Sequence, residues 1–319
     1  MRLFLRKLLY IGGMLLLISL ISFLAIHAAP NSFFAAGELN PNITKESIEH
    51  LKAVYGLDKP LWEQYVRWVW AMLHLDFGLS FASGNPVIEE IGSRLPITLS
   101  MNVISMVFVF FIALKLGIRA ALWQGSVADR SVKQLSLVSF AMPSFYLALL
   151  LILFFALKLG WFPISGLQSI DPRQGVMKWV DYAWHLAIPI FVMVFGGIGG
   201  LTMYVRSLTL EILKSDYIFF AKARGINDRT IRRRFILPNL MPSIVTILGL
   251  SLPGLIGGSV IIESIFSING MGLLFYQSAL SRDYPVIMGI LIITAFLTLL
   301  GNVLADLTLL KLNPYAARE

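Results

Sequence analysis

Cysteine is absent from the 319 residues, which excludes disulfides, thiolate metal sites and cysteine nucleophiles. Charge is scarce: Asp, Glu, Lys and Arg make up 14% of the chain, against roughly a quarter in a soluble domain. No Gly-Lys dipeptide occurs, so the chain carries no phosphate-binding P-loop and no ATPase of that kind. His-Glu-x-x-His and Gly-x-Ser-x-Gly are missing as well, which removes the common metalloprotease and serine-hydrolase readings. The four histidines, His27, His50, His74 and His185, lack metal-ligand spacing. His27 and His185 fall near the ends of apolar runs, where a hydrogen-bonded interfacial imidazole is expected. No catalytic residue, metal site or cofactor is predicted, and the chain is not an enzyme by itself.

Apolar residues are abundant: 57% of the sequence is hydrophobic and the mean hydropathy is +0.77. A bilayer-spanning helix needs about 20 apolar residues. Six runs reach that length, at 8–28, 97–122, 135–157, 186–207, 241–266 and 284–310. The expected class is therefore an all-α polytopic membrane protein with six transmembrane helices. The apolar core at 8–26 exceeds the roughly 7–15 residues of a secretory signal, so an uncleaved first span is expected. With both termini inside, the inner segments hold 17 Lys and Arg and the outer ones 9, which fixes the orientation by the positive-inside rule. The net charge of +8 is thus a topology signal and not a nucleic-acid footprint. The domain plan is a first span at 1–29, an extracytoplasmic loop at 30–95, a five-span core at 96–310 with a cytoplasmic loop at 208–240, and a cytoplasmic tail at 311–319.

Within the outer loop, Thr44 is a candidate N-cap for a helix carrying Ile48, Leu51, Val54 and Tyr55 and stopped by Gly56. Pro60 suits the start of a second helix, with Leu61, Tyr65, Trp68, Val69 and Met72 as its apolar stripe. Two readings stay open: helices lying at the membrane interface, where Trp and Tyr settle, and a contact for an external partner. Gly196-Gly197-Ile198-Gly199-Gly200 and Gly254, Gly257 and Gly258 let helix backbones approach closely. Pro143, Pro189 and Pro253 should bend or interrupt their spans. Lys115, Glu263 and Asp306 sit at membrane depth, where ionisable groups are costly and raise functional suspicion. Lys115 can snorkel, and for Glu263 and Asp306 a hydrogen-bonded structural role is expected ahead of a proton relay.

The most informative segment lies between the fourth and fifth spans. Lys214, Lys222, Arg224, Arg229, Arg232, Arg233 and Arg234 crowd one loop, opposed by Asp216 and Asp228. Ser215 or Asp216 can cap a short helix, Asp216 complements its positive end, and Gly225 supplies a left-handed exit. A second helix can start at Asn227 and run toward Pro238. Ala221 and Gly225, four residues apart, would share a nearly bare face. Such a face flanked by charge is either a docking surface or a basic connector held at anionic headgroups.

Gly225, Leu237 and Pro238 fall at the spacing of the loop found in permease subunits of bacterial ABC importers, and Ala221 matches its second alanine. Phe219 stands where that loop usually has glutamate. Further pieces extend the match along nearly the whole chain: Gly56-Leu57-Asp58-Lys59-Pro60-Leu61, Asp76-Phe77-Gly78-Leu79-Ser80, Arg94-Leu95-Pro96, Pro143-Ser144-Phe145, Gly160-Trp161-Phe162-Pro163, Arg282-Asp283-Tyr284-Pro285, and Asn302 with Asp306. On these residues the chain resembles the dipeptide/oligopeptide/nickel permease family. It departs at Ala29-Pro30-Asn31-Ser32-Phe33, where the family usually reads Ala-Pro-Gly-Asp-Pro, and at Ala141, where a serine is usual.

The resemblance implies the transmembrane domain of a type I ABC importer. Its partners would be a second, homologous permease subunit, two cytosolic ATPase subunits, an extracytoplasmic solute-binding protein and the lipid bilayer, with no nucleic acid. It implies a coupling helix at 216–224, with Asp216, Ala221, Ala223, Arg224, Gly225, Leu237 and Pro238 in the ATPase-coupling set. Glu263, Asp306, Gly257 and Gly258 become candidate pathway or structural residues. Peptides are the expected cargo and nickel or a nickel chelate the alternative. A secondary transporter and a non-transporting membrane regulator are the readings of other classes.

Overall fold

The computed structural model describes residues 2–28, 59–171, 173–255 and 259–312. The helix expected around 44–55, together with Gly257 and Gly258, lies outside the described residues. Regular structure is helical throughout the described part, apart from one isolated antiparallel bridge between Leu79 and Pro86. In chain order the helices are α1 (Arg2–Ala28), α2 (Leu61–Leu73), α3 (Val87–Leu122), α4 (Val127–Ala141) and α5 (Ser144–Leu151), which continues as a π-helix over Ile152–Lys158. Next come α6 (Val176–Leu213), α7 (Asp216–Ala223), α8 (Asp228–Ile231), a π-turn at Arg232–Ile236 and α9 (Leu237–Ser251). A 3-10 turn at Leu252–Leu255 precedes α10 (Val260–Ile265), α11 (Met271–Ser281) and α12 (Tyr284–Leu312).

Among the described residues, four stretches are long and apolar enough to cross a bilayer: Val87–Leu122, Val176–Leu213, Asp228–Ser251 and Tyr284–Val303. The pair α4 and α5, with its π-helical continuation, makes a fifth candidate if it counts as one span. The apolar helix within α1, Leu9–Ala25, is shorter.

Two of the expected spans are broken, each at a proline. The run at 135–157 bends by 99° between α4 and α5. Met142 precedes Pro143 and is extended at ψ 120°, because the proline ring clashes with a helical residue before it. The run at 241–266 ends as an α-helix at Ser251, passes into the 3-10 turn that contains Pro253, and resumes as α10. Proline has no backbone N–H to continue the helical ladder. The Asn102 amide donates to the Leu255 carbonyl at 2.7 Å, occupying one acceptor that the broken helix leaves over. Pro189 does not interrupt α6.

The chain divides into two compact units. The first holds residues 1–98, 256–260 and 269–303. Its core is Met72, Phe77, Val87, Ile91, Met271, Leu274, Val286, Ile290 and Ile292. Helix α2 turns Trp68, Val69 and Met72 onto that core, and Tyr65 hydrogen-bonds Ser19 of α1 at 2.9 Å. Gly289 is required for close packing, since a Cβ there would stand 2.7 Å from the Val87 side chain.

Asp283 is buried in this unit and accepts three hydrogen bonds from the loop between α2 and α3. The Ser80 hydroxyl donates at 2.6 Å and the Phe81 and Ala82 backbone N–H groups at 3.0 and 3.1 Å. Asp283→Ala leaves those donors without an acceptor and is expected to cost about 3 kcal/mol, whereas Ser80→Ala removes one partner and costs about 1 kcal/mol. Thermal unfolding of the detergent-solubilised variants checks the ranking; equal midpoints would discard it.

The second unit holds residues 99–255, 261–268 and 304–319. Small residues let α6 approach its neighbours at backbone distance. A Cβ on Gly117 of α3 would lie 2.7 Å from the Thr202 carbonyl, and one on Gly197 would lie 2.7 Å from Val109. A Cβ on Gly199 would lie 2.5 Å from the Ser136 carbonyl of α4. The Ser139 hydroxyl donates to the Phe195 carbonyl beside it. The expected glycine packing therefore holds at Gly197 and Gly199, while Gly196, Gly200 and Gly254 face open space.

Candidate functional site: the helix between α6 and α9

Helix α7 begins three residues after α6 ends. Ser215 is its N-cap with extended backbone, but its hydroxyl donates back to the Ile212 carbonyl at 2.6 Å and does not cap α7. The Ser215 carbonyl receives the Ile218 and Phe219 N–H groups at 3.1 and 3.2 Å. Asp216 occupies the first turn, where a carboxylate complements the positive helix end.

The other end closes as the spacing predicts. Arg224 is the C-cap and Gly225 follows at φ +74°. The Gly225 N–H donates to the Lys222 carbonyl at 2.9 Å and the Ile226 N–H to the Ala221 carbonyl at 3.1 Å. This pair of crossed bonds is the Schellman arrangement, which satisfies the last carbonyls of a helix and needs a left-handed residue between them. Asn227 then caps α8, its side chain accepting from the Thr230 N–H at 2.8 Å.

One face of α7 is fastened to its own unit. Ile218 is buried with Phe110, Ile118, Val205, Ile231, Ile236, Leu240 and Ile244. The Tyr217 ring stacks on Phe235 at 6.3 Å. Ala221 is also buried, at 5% exposure. Ala221 and Gly225 therefore do not share a bare face. Gly225 lies beyond the helix in a left-handed turn, so the four-residue helical spacing no longer applies to it, and Ala221 follows Ile218 by three residues onto the packed side.

The free face carries a different set. Phe219 and Phe220 are 68% and 62% exposed, with their rings edge to face at 5.7 Å. Asp216, Lys222, Ala223, Arg224 and Gly225 are exposed around them. Leu237 packs on the buried cluster, and Pro238 is exposed in the first turn of α9. Arg232, Arg233 and Arg234 are exposed on the π-turn. The sequence already named Phe219 as a departure, but it did not single out Phe220. Following the buried stripe Ile218–Ala221 around the helix would have placed both rings on the opposite side.

The remaining candidates lie elsewhere. Glu263 is buried in α10, and its carbonyl accepts the Ile268 N–H at 2.9 Å. Asp306 falls in α12, and its side chain is outside the described residues. Lys115 is exposed with its ammonium 3.9 Å from the Phe111 ring, a cation–π contact. His27 bonds the Phe23 carbonyl at 2.8 Å and Gln64 at 3.2 Å, and His185 bonds the Asp181 carbonyl at 2.9 Å. Among the described residues no His, Asp and Glu grouping has the form of a metal site. The α7 region therefore presents an exposed apolar ring pair with a charged rim.

Residues 113–316 match the family described as binding-protein-dependent transport system inner membrane component, and residues 1–102 match its N-terminal counterpart. The chain is 36% identical to the oligopeptide transport system permease protein AppB of Bacillus subtilis over 301 residues, covering 94% of each chain. It is 32% identical to the dipeptide transport system permease protein DppB of Escherichia coli K12, covering 93% of each. Among solved structures, the inward-facing MetNI methionine ABC transporter aligns with a TM-score of 0.53 at 19% identity, over 71% of this chain and 97% of that one. That likeness shows the fold alone. Matched over both family models and along nearly all of its relatives' length, the chain belongs to the binding-protein-dependent transport system inner membrane components.

Proposed function

We propose that this chain is the permease subunit of an ATP-driven importer of small peptides, working in the bacterial inner membrane. The observation that carries the reading is full-length similarity to permeases named for oligopeptides and dipeptides. Six spans with both termini in the cytoplasm follow from the apolar runs and the Lys and Arg distribution. A second, homologous permease subunit completes the pathway, two ATPase subunits bind on the cytoplasmic side, and an external solute-binding protein delivers cargo.

In this reading α7 is the coupling helix. Phe219 and Phe220 enter an apolar groove on the ATPase, and Asp216, Ala223 and Arg224 rim the contact. Gly225 sets the angle at which the helix is presented. Ala221, Leu237 and Pro238 act from behind, seating α7 on its own unit and opening α9. Closure of the ATPase dimer moves α7 and shifts the permease between two discrete arrangements, as a bistable switch requires. Glu263, Asp306, Gly257 and Gly258 remain candidates for the pathway or its support.

Deleting the gene should reduce accumulation of radiolabelled trialanine to the level of a strain without the transporter, and leave uptake of radioactive nickel unchanged. Loss of nickel uptake with normal trialanine uptake would transfer the assignment to the metal branch of the family.

A further inference from the structure

Asp129 is the most completely buried carboxylate in the second unit that the family reading leaves without a task, with its side chain 1% exposed. Arg206 grips it with both arms of the guanidinium: Nε donates to Oδ1 at 2.7 Å and an Nη to Oδ2 at 3.0 Å. The Gly125 N–H donates to Oδ2 at 3.0 Å, and the Lys133 ammonium lies 3.5 Å away. Asp129 stands in the first turn of α4, whose N-cap Ser126 accepts the Asp129 N–H. Gly125 belongs to the turn that follows α3 and has φ +81°. One carboxylate thus ties together the α3–α4 turn, the start of α4, and α6.

The position of Arg206 gives this tie a direction. It lies seven residues before Leu213, the end of α6, which is about two helical turns. Helix α7 starts three residues beyond that end. Any displacement of α7 along or across α6 therefore meets Asp129 within two turns. Below it, α4 and α6 touch again at Ser136 with Gly199 and at Ser139 with Phe195. Those contacts are backbone and hydroxyl packing, which resists approach but allows sliding. A bidentate ion pair resists sliding, because two fixed hydrogen bonds specify one register. Well-packed apolar residues would hold two helices together as well as a buried ion pair does, so what the pair adds is that register.

We propose that Asp129 and Arg206 are positioning residues for coupling: their clasp makes α4 follow α6 when α7 is displaced, so that the nucleotide-driven motion reaches the α3–α4 turn. The proposal rests on the reading of α7 as the ATPase-docking helix. Neither residue touches cargo or nucleotide.

The absence of cysteine from this chain makes the test direct. Val127→Cys and Lys214→Cys, both at exposed positions, place one spin label at the start of α4 and one at the α6–α7 junction. The complex contains the partner permease, ATPases without reactive cysteines, and the binding protein, reconstituted in liposomes. Label separation is measured by double electron–electron resonance without nucleotide and after trapping with ATP and vanadate.

With the clasp intact the separation should change by no more than about 2 Å on trapping, the scale of a packed helix adjustment. In the Asp129→Asn and Arg206→Gln backgrounds it should change by several times more, and the double variant should add nothing to either single one. Only complexes assembled in normal stoichiometry are measured, so a variant that fails to fold is not counted, and Arg206→Lys, which keeps one arm of the contact, restores part of the constraint. A purely structural role would lower the yield of complex and leave the nucleotide dependence of the separation unchanged. Equal separations in intact and variant complexes that hydrolyse ATP overturn the clasp alone. An intact complex that neither hydrolyses ATP nor binds ATPase through α7 overturns the importer reading and the clasp with it.

Discussion

Replacing Gly225 by valine is expected to abolish peptide uptake while the protein stays in the membrane at its normal level. Gly225 adopts φ +74°, and a Cβ added there meets no atom within 4 Å. The penalty is therefore one of backbone conformation and not of space. For a β-branched residue the left-handed region costs about 1–2 kcal/mol. Gly225 belongs to neither buried core, so the cost falls on the end of α7. It is enough to undo the crossed bonds from Gly225 to Lys222 and from Ile226 to Ala221. Losing them lets the end of α7 fray and changes the direction in which Phe219 and Phe220 project. Trialanine uptake and co-purification of the ATPase are the measurements. Gly225→Asn should retain most activity, because asparagine tolerates the left-handed region. Normal uptake and normal ATPase association in the valine variant would remove α7 from the coupling role.

The second large effect separates two neighbouring glycines. Gly199→Ala should destabilise the protein by roughly 3 kcal/mol, enough to remove most of it from the membrane, whereas Gly200→Ala should be neutral or stabilising by up to about 1 kcal/mol. At Gly199 the new methyl would stand 2.5 Å from the Ser136 carbonyl and 3.0 Å from the Phe140 nitrogen. Both are backbone atoms of α4, so relief requires α4 to move away from α6. At Gly200 nothing lies within 4 Å, and the change only lowers the conformational freedom of the unfolded helix. Membrane abundance and thermal unfolding in detergent distinguish them. Similar behaviour of the two variants would mean that α4 and α6 do not meet at Gly199.

How much of this was readable in advance varies along the chain. The turn from α7 into α8 was legible, because Gly225 and Asn227 carry their conformational preferences within a few residues. The break at Pro143 was legible for the same reason. The exposed face of α7 was not: Ala221 looked bare beside Gly225, yet it is buried, on the side where Ile218 packs against residues from α3, α6 and α9. Burial on that side depends on chain segments 100 residues away, which no local spacing reports. The π-turn at Arg232–Ile236 is a similar case. It separates the buried Ile231 and Ile236 by five residues and leaves Arg232, Arg233 and Arg234 outside. A regular helix would have brought Phe235 to that place.

Composition and motif spacing were sufficient for the class, the family resemblance and the position of the short helix α7. The cause is physical: lipid solubility, helix caps and proline breaks all act through residues close in sequence. Tertiary packing settled which atoms touch. It turned Ala221 inward and exposed Phe219 and Phe220, distinguished Gly199 from Gly200, and joined Asp129 to Arg206 across 77 residues of chain. Such pairings depend on how whole helices are set against each other, and helix spacing along one segment carries no record of its neighbour.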